Sequence, residues 1–147
     1  KIDVWSGFLA MWAGIATQSQ ADRMVKENYL KSNIFYSDYG IRTLSKSEKM
    51  YLIKESGNPS CWLGPIWGVS NYLTFKALLK YGYDDLAKEL AEKTVTLFGR
   101  DVEKCGEFHE YYDPETGEGI SNQGFQSWNL LVSNMISYLN GKPFTEE

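Results

Sequence analysis

Cysteine is scarce in this sequence: Cys61 and Cys105 are the only two in 147 residues. Two thiols cannot staple a small disulfide scaffold, so the fold must rest on a hydrophobic core. The expected state is two buried free thiols; a single bridge between them is the alternative, which leaves the redox compartment open. Histidine is scarcer still. His109 is the only one, and no Cys or His partner is read at ligand spacing from it, so no metal centre is expected and His109 is read as packed or hydrogen-bonded. Positive charge is thin as well. Fifteen Lys and Arg face nineteen acids, for a formal net charge of −4, and no basic stretch exceeds two residues. A nucleic-acid surface needs clustered cations, so no nucleic-acid partner is expected. No apolar run approaches the roughly 20 residues of a membrane span, so none is expected, and no signal peptide is recognisable. Nucleophile motifs and phosphate-cradling glycine loops are missing too, and no cofactor is expected.

Aromatic residues are what the sequence has in excess. They make up 15% of the chain, with ten Tyr and five Trp, within a hydrophobic share of 43%. That is enough for a core, and rings of this half-polar kind are concentrated in sugar-binding sites and protein interfaces. The chain opens directly in an apolar segment, Val4 to Trp12, with core material already under way, so it is read as a piece of a larger domain. Residues 6–16 are apolar nearly all round, which predicts a buried helix. Thr17 to Ala21 reads as a helix start, and the charges alternating with Ala21, Met24, Val25 and Leu30 predict an outer amphipathic helix. Residues 31–60 form a long irregular stretch whose interleaved Tyr36, Tyr39 and Tyr51 argue for order. Pro65 fits the first turn of a second buried helix over 66–81, stopped by Gly82. Asp84 caps an amphipathic helix with Leu86, Ala87, Leu90, Ala91, Thr94, Leu97 and Phe98 on one face, ended by Cys105-Gly106. A loop over 107–124, turning at Asp113-Pro114-Glu115-Thr116-Gly117, leads into a last apolar helix over 125–139, closed by Asn140-Gly141.

The pattern is buried helix, amphipathic helix, loop, repeated, then a buried helix. It reads as all-α, with no convincing strand outside short loop pairings. Trp12, Trp67 and Trp128 fall at similar places, 55 and 61 residues apart, a weak internal repeat. Alternating buried and half-exposed helices predict an inner ring wrapped by an outer one, with the aromatic loops building a pocket at one rim. Five helices cannot close a ring, so the remaining part is expected outside residues 1–147.

Two constellations carry chemistry. Glu110 stands among Phe108, His109, Tyr111 and Tyr112; rings flanking a carboxylate tune its proton affinity and face a sugar. The bland alternative is a surface acid beside a turn. Glu115 and Glu118, near the turn tip, are expected in solvent. A calcium loop at Asp113, Glu115 and Glu118 lacks the ligand spacing. The second constellation is Cys61-Trp62-Leu63-Gly64-Pro65-Ile66-Trp67-Gly68. Its indoles can stack on a pyranose or simply pack a core, Trp62 more toward the ligand and Trp67 divided between the two. Gly124-Phe125-Gln126-Ser127-Trp128-Asn129 repeats the grammar.

Taken together, these segments resemble one enzyme family. Gly7-Phe8-Leu9-Ala10-Met11-Trp12-Ala13-Gly14-Ile15-Ala16-Thr17 is similar to the "GFLPLWAGIAT" segment of glycoside hydrolase family 63 and related trehalases. Tyr39-Gly40-Ile41-Arg42-Thr43-Leu44-Ser45 resembles "YGIRTLS". Trp62-Leu63-Gly64-Pro65-Ile66-Trp67 through Asn71-Tyr72-Leu73 resembles "WRGPVW…NYL", with Leu63 in place of the usual Arg. Glu110 through Gly119 resembles "YENYDPxTGEG", with His109 where an aromatic is frequent, and Gly124 to Trp128 resembles "GFxSW". The resemblance implies that residues 1–147 are the C-terminal portion of an (α/α)6 barrel, incomplete in this chain. It implies inverting hydrolysis of a short α-gluco- or α-mannoside. Glu110 falls on the family's base, and its partner acid, an aspartate well upstream, has no counterpart here, so the piece alone is expected to be inactive. Trp62, Trp67, Tyr111 and Trp128 are the expected subsite residues, and Arg42 is expected to reach a hydroxyl or the acid group of an aglycone. The expected partners are a carbohydrate substrate and the missing N-terminal part of the barrel. A non-catalytic sugar-binding or structural toroid is the rival reading; a phosphorylase on the same barrel is a third.

Overall fold

The computed structural model describes residues 2–54 and 60–143. The end of the irregular stretch, residues 55–59, therefore lies outside the described residues, as do the first residue and the last four. A 3-10 turn (Trp5–Phe8) runs into helix α1 (Leu9–Trp12), and α2 (Gln18–Met24) continues through a π turn (Val25–Tyr29). A hairpin follows, β1 (Tyr36–Ser37) with β2 (Gly40–Ile41). Then come β3 (Ile66–Trp67), α3 (Gly68–Lys80), α4 (Asp84–Cys105), β4 (Tyr111–Tyr112), β5 (Gly119–Ile120), a 3-10 turn (Ser127–Leu131) and α5 (Val132–Leu139).

Helix α3 is the centre. It packs on α1, on α4 and on the Ser127–Leu131 turn, and α5 lies against α4. Its composition explains its place: Ser70, Asn71, Tyr72, Thr74, Phe75, Ala77 and Leu78 are all buried. Helix α4 is one-sided as its sequence dictates, with Ala87, Leu90, Ala91, Thr94, Leu97 and Phe98 buried and its first turn carrying Asp84 and Asp85, favourable at a helix N-terminus. The Thr17 start is a full capping box: Thr17 accepts from the Gln20 amide, and the Gln20 side chain accepts from the Thr17 N–H. Gly82 and Gly106, both left-handed, follow α3 and α4.

Four expectations need correction. The chain is not purely helical: the described residues hold a two-stranded pairing, β1–β2, and a three-stranded one, β3–β4–β5. Ile66 and Trp67 are extended because they pair with Tyr112 and Tyr111, so α3 starts at Gly68 and Pro65 precedes a strand. The first buried helix is only a short turn of chain. The backbone becomes left-handed at Gly14 (φ 73°), and Trp12 and Ile15 are 44% and 78% exposed. The last helix is a 3-10 turn before it becomes α at Val132. The tryptophan repeat accordingly survives for Trp67 and Trp128, each just ahead of or within a helix start, and not for Trp12. No described helix is long and apolar enough to cross a membrane.

Candidate functional site

The three short strands converge the two constellations. Trp67 pairs with Tyr111 and Ile66 with Tyr112, while β5 sets Ile120 opposite Tyr111 and Gly119 opposite Tyr112. The hairpin between β4 and β5 is closed by Gly117, whose amide donates to the Asp113 carbonyl (2.8 Å). The Asp113 carboxylate accepts from the Glu115 amide (2.7 Å), the self-turning habit of Asp.

Glu110 immediately precedes β4 and is 5% exposed. Its amide donates to the Ser121 carbonyl (3.2 Å). One carboxylate oxygen accepts from the Ser60 hydroxyl (3.3 Å) and the other from the Asn122 side-chain amide. A buried carboxylate without donors would be very costly; here both oxygens have one, and both donors are neutral. Ser121 and Asn122 take left-handed backbone angles (φ 59° and 41°). That bend turns the chain back after β5 and delivers the Asn122 amide to Glu110. Asn accepts this region far more readily than most residues.

The indoles gather beside this strand. Trp62 and Trp67 stack with centroids 3.9 Å apart and planes 13° apart, Trp67 stacks with Tyr111 at 5.1 Å, and Trp5 stacks with Trp62 at 6.2 Å. Trp128 leans on both Trp67 (5.8 Å) and Trp62 (6.5 Å). The four expected subsite rings are thus one cluster, but they are not equivalent. Trp67 and Tyr111 are buried, and Trp67 also donates its indole N–H to the Cys61 carbonyl (2.8 Å). Only Trp62 and Trp128 keep partial exposure. Among the described residues, the buried Trp128 N–H has no hydrogen-bond partner.

Arg42 is placed elsewhere. It is 3% exposed, and its guanidinium meets Glu115 at 2.7 Å, the Tyr51 hydroxyl at 3.3 Å, and the carbonyls of Ser32 (3.0 Å) and Tyr36. These contacts use it to tie the irregular stretch to the β4–β5 turn. Glu115 is correspondingly not a free solvated acid. Lys46 also reaches it (2.8 Å). Partial burial works against its ionisation, but the hydrogen bonds and charges of Lys46 and Arg42 overcome that and hold its carboxyl down at about 2. Glu118 is exposed as expected and pairs with Lys104.

Sequence reasoning missed Ser60, Asn122 and Asp101. Asp101 lies on the buried face of α4 (7% exposed), in register with Leu97 and Phe98; an acid on an apolar stripe was the signal. It accepts from the His109 amide (2.8 Å) and the Tyr112 hydroxyl (2.8 Å) and contacts the His109 ring (2.9 Å). Burial opposes its charge, yet the His109 and Tyr112 donors hold its pKa below the usual carboxylate range. Asp101 thereby grips the residues on both sides of Glu110-Tyr111. Both thiols are free, but only Cys61 is buried; Cys105 is partly exposed.

With this geometry in place, the comparisons with known proteins are direct. Residues 3–128 match the family of mannosylglycerate hydrolase MGH1-like glycoside hydrolase domains. A probable mannosyl-oligosaccharide glucosidase of Schizosaccharomyces pombe is 33% identical over 115 residues, 71% of this chain and 14% of that protein. A mannosylglycerate hydrolase of Thermus thermophilus is 29% identical over 128 residues, 87% of this chain and 28% of that protein. The chain therefore spans well under a third of those relatives' length. The crystal structure of a GH63 mannosylglycerate hydrolase from Thermus thermophilus in complex with glucose superposes with a TM-score of 0.74 at 26% identity, covering 92% of this chain and 31% of that one. The neutral trehalase of Saccharomyces cerevisiae shares the fold at 21% identity and a TM-score of 0.71, covering 95% of this chain and 24% of that one.

Proposed function

The chain belongs to the family of MGH1-like glycoside hydrolase domains, and on that premise we propose that residues 1–147 are the C-terminal portion of the catalytic domain of an inverting α-glycosidase acting on short α-gluco- or α-mannosides. The observation that carries the proposal is Glu110: a buried carboxylate fixed at both oxygens by neutral donors, at the head of a strand flanked by stacked indoles. In an inverting hydrolase one carboxylate deprotonates a water on one face of the sugar while a carboxylic acid, roughly 6.5–9.5 Å away, protonates the leaving oxygen. Glu110 takes the first role. The acid comes from the part of the (α/α)6 barrel that these residues do not include. Trp62 and Trp128, with partial exposure, supply the ring faces for the sugar, and Trp67 and Tyr111 hold them in place from behind. Exposed Trp12, Ile15, Leu130 and Ile136 are apolar positions that the rest of the ring would cover.

The test is Glu110→Gln in the full-length protein, assayed on α-glucosides and α-mannosylglycerate. The amide keeps the shape and cannot take the water's proton. Turnover is expected to fall by about 10²–10⁴ while binding persists, and NMR of the wild-type reaction should show the first-formed sugar with inverted anomeric configuration. Near-normal turnover of Glu110→Gln, or a retained anomer, would remove the assignment. Turnover in the wild type that requires added phosphate would make it a phosphorylase.

A further inference from the structure

The end of α4 brings together three side chains that the hydrolytic reading leaves unused as ligands. Asp101 and Cys105 are four residues apart, so they share a helix face. The chain then reverses through left-handed Gly106 (φ 78°) and returns His109 over that face. One ligand atom from each of Asp101, Cys105 and His109 lies within 4.8 Å of the other two. The sequence reading found no Cys partner for His109; the reversal at Gly106 creates one. We propose that Asp101, Cys105 and His109 form a binding site for a zinc-type divalent cation.

The donor set fits. Carboxylate, thiolate and imidazole are the three side-chain ligands zinc takes most often. Bonds of about 2.0–2.3 Å in a tetrahedron put neighbouring donors about 3.3–3.6 Å apart. His109 Nδ1 and Asp101 Oδ1, now 2.9 Å apart, need to part by only a few tenths of an ångström, and Cys105 needs to close in by rotation of its side chain. The outer contacts are already built. Asp101 Oδ2 is held by the His109 amide and the Tyr112 hydroxyl, so the carboxylate presents its other oxygen in a fixed direction, the role that such partners play around metal ligands. The contacts that must give way, imidazole with carboxylate and thiol with carboxylate, are those a shared cation replaces. Gly119 leaves room for the imidazole: a Cβ there would collide with the His109 ring. On binding, the Cys105 S–H proton leaves to the buffer and a sulfur–metal bond forms, with no change of oxidation state. The nearby Lys104 is committed to Glu118. Cys105 and His109 are both partly exposed, so water can reach the site as fourth ligand. The ion would staple the end of α4 to the residue preceding Glu110.

The inference is independent of the hydrolase reading and is tested without activity. Full-length protein is stripped with a chelator and titrated with Co²⁺, then Zn²⁺. One Co²⁺ per chain with a thiolate-to-cobalt charge-transfer absorption, displaced by Zn²⁺, is expected. Cys105→Ser should abolish that absorption, and His109→Gln should weaken Zn²⁺ binding. Tyr112→Phe, which keeps the fold and the three ligands, should lower Zn²⁺ affinity by about 10–100-fold. Absence of the band in the wild type, its survival in Cys105→Ser, or equal affinity in wild type, His109→Gln and Tyr112→Phe each overturns the site.

Discussion

Glu110 and Glu115 stand five residues apart on one loop, and they are opposites. Glu110 is buried, and the donors to its carboxylate among the described residues, Ser60 and Asn122, are neutral. Glu115 is far more open, with 37% of its side chain exposed, yet it is clamped by two cations. The cations lock Glu115 in its charged form down to about 2, which disqualifies it from exchanging protons at ordinary pH. Neutral donors orient the Glu110 carboxylate. On the proposed reading, chemistry and anchorage are divided between two identical residue types by what surrounds them: Glu110 is buried among neutral groups, and Glu115 is open and clamped by cations.

The comparison breaks most visibly in turnover. Glu115→Gln in the full-length protein should leave kcat within about a factor of ten, against the 10²–10⁴ loss of Glu110→Gln. A Glu115 variant as inactive as the Glu110 variant would merge the two roles. The same division is expected among the indoles. Trp67→Ala should destabilise the fold by about 3–5 kcal/mol, as large core truncations do, because Trp67 is 1% exposed and stacked between neighbours. Trp62→Ala should instead cost about 2 kcal/mol in sugar binding, the scale of an interface anchor. Urea melts and a sugar titration on both variants decide this; an unchanged affinity in Trp62→Ala removes that ring from the sugar site.

The helical frame was legible because its signals are local. The stripe from Leu86 to Phe98 and the stops at Gly82 and Gly106 need nothing but periodicity and backbone freedom. Glu110 and the indole cluster were legible from composition and from a family pattern spread along the chain. The strands were not, since a two-residue pairing such as Ile66 with Tyr112 leaves no periodic trace. Nor was the burial of Arg42: its partner Glu115 is 73 residues away, and no local rule links them. Trp12 was read as buried because apolar neighbours surround it in sequence, whereas exposure depends on which elements pack against α1.

The smallest effect tests the clamp itself. In the folded protein Glu115 ionises at about 2, against 4.5 for the ordinary side chain. A folded-state value below the unfolded one means that the unfolded chain binds the proton first as acid is added, so stability drops with falling pH. The contribution of Glu115 is therefore complete above about 4.5, shrinks between there and about 2, and is gone below. Asp101, also depressed, acts in the same direction. Because Glu115 is more than a third exposed, solvent screening keeps its share modest. Urea midpoints of wild type and Glu115→Gln, measured from neutral pH down to about 2, should differ most at neutral pH and converge toward the acid end. At neutral pH the variant should be less stable by about 1–3 kcal/mol, chiefly because Arg42 is left buried without its counter-charge. A gap that stays constant across that range would mean that the Arg42–Glu115 contact acts through shape and hydrogen bonding, not charge, and the contrast with Glu110 would have to be redrawn on those grounds.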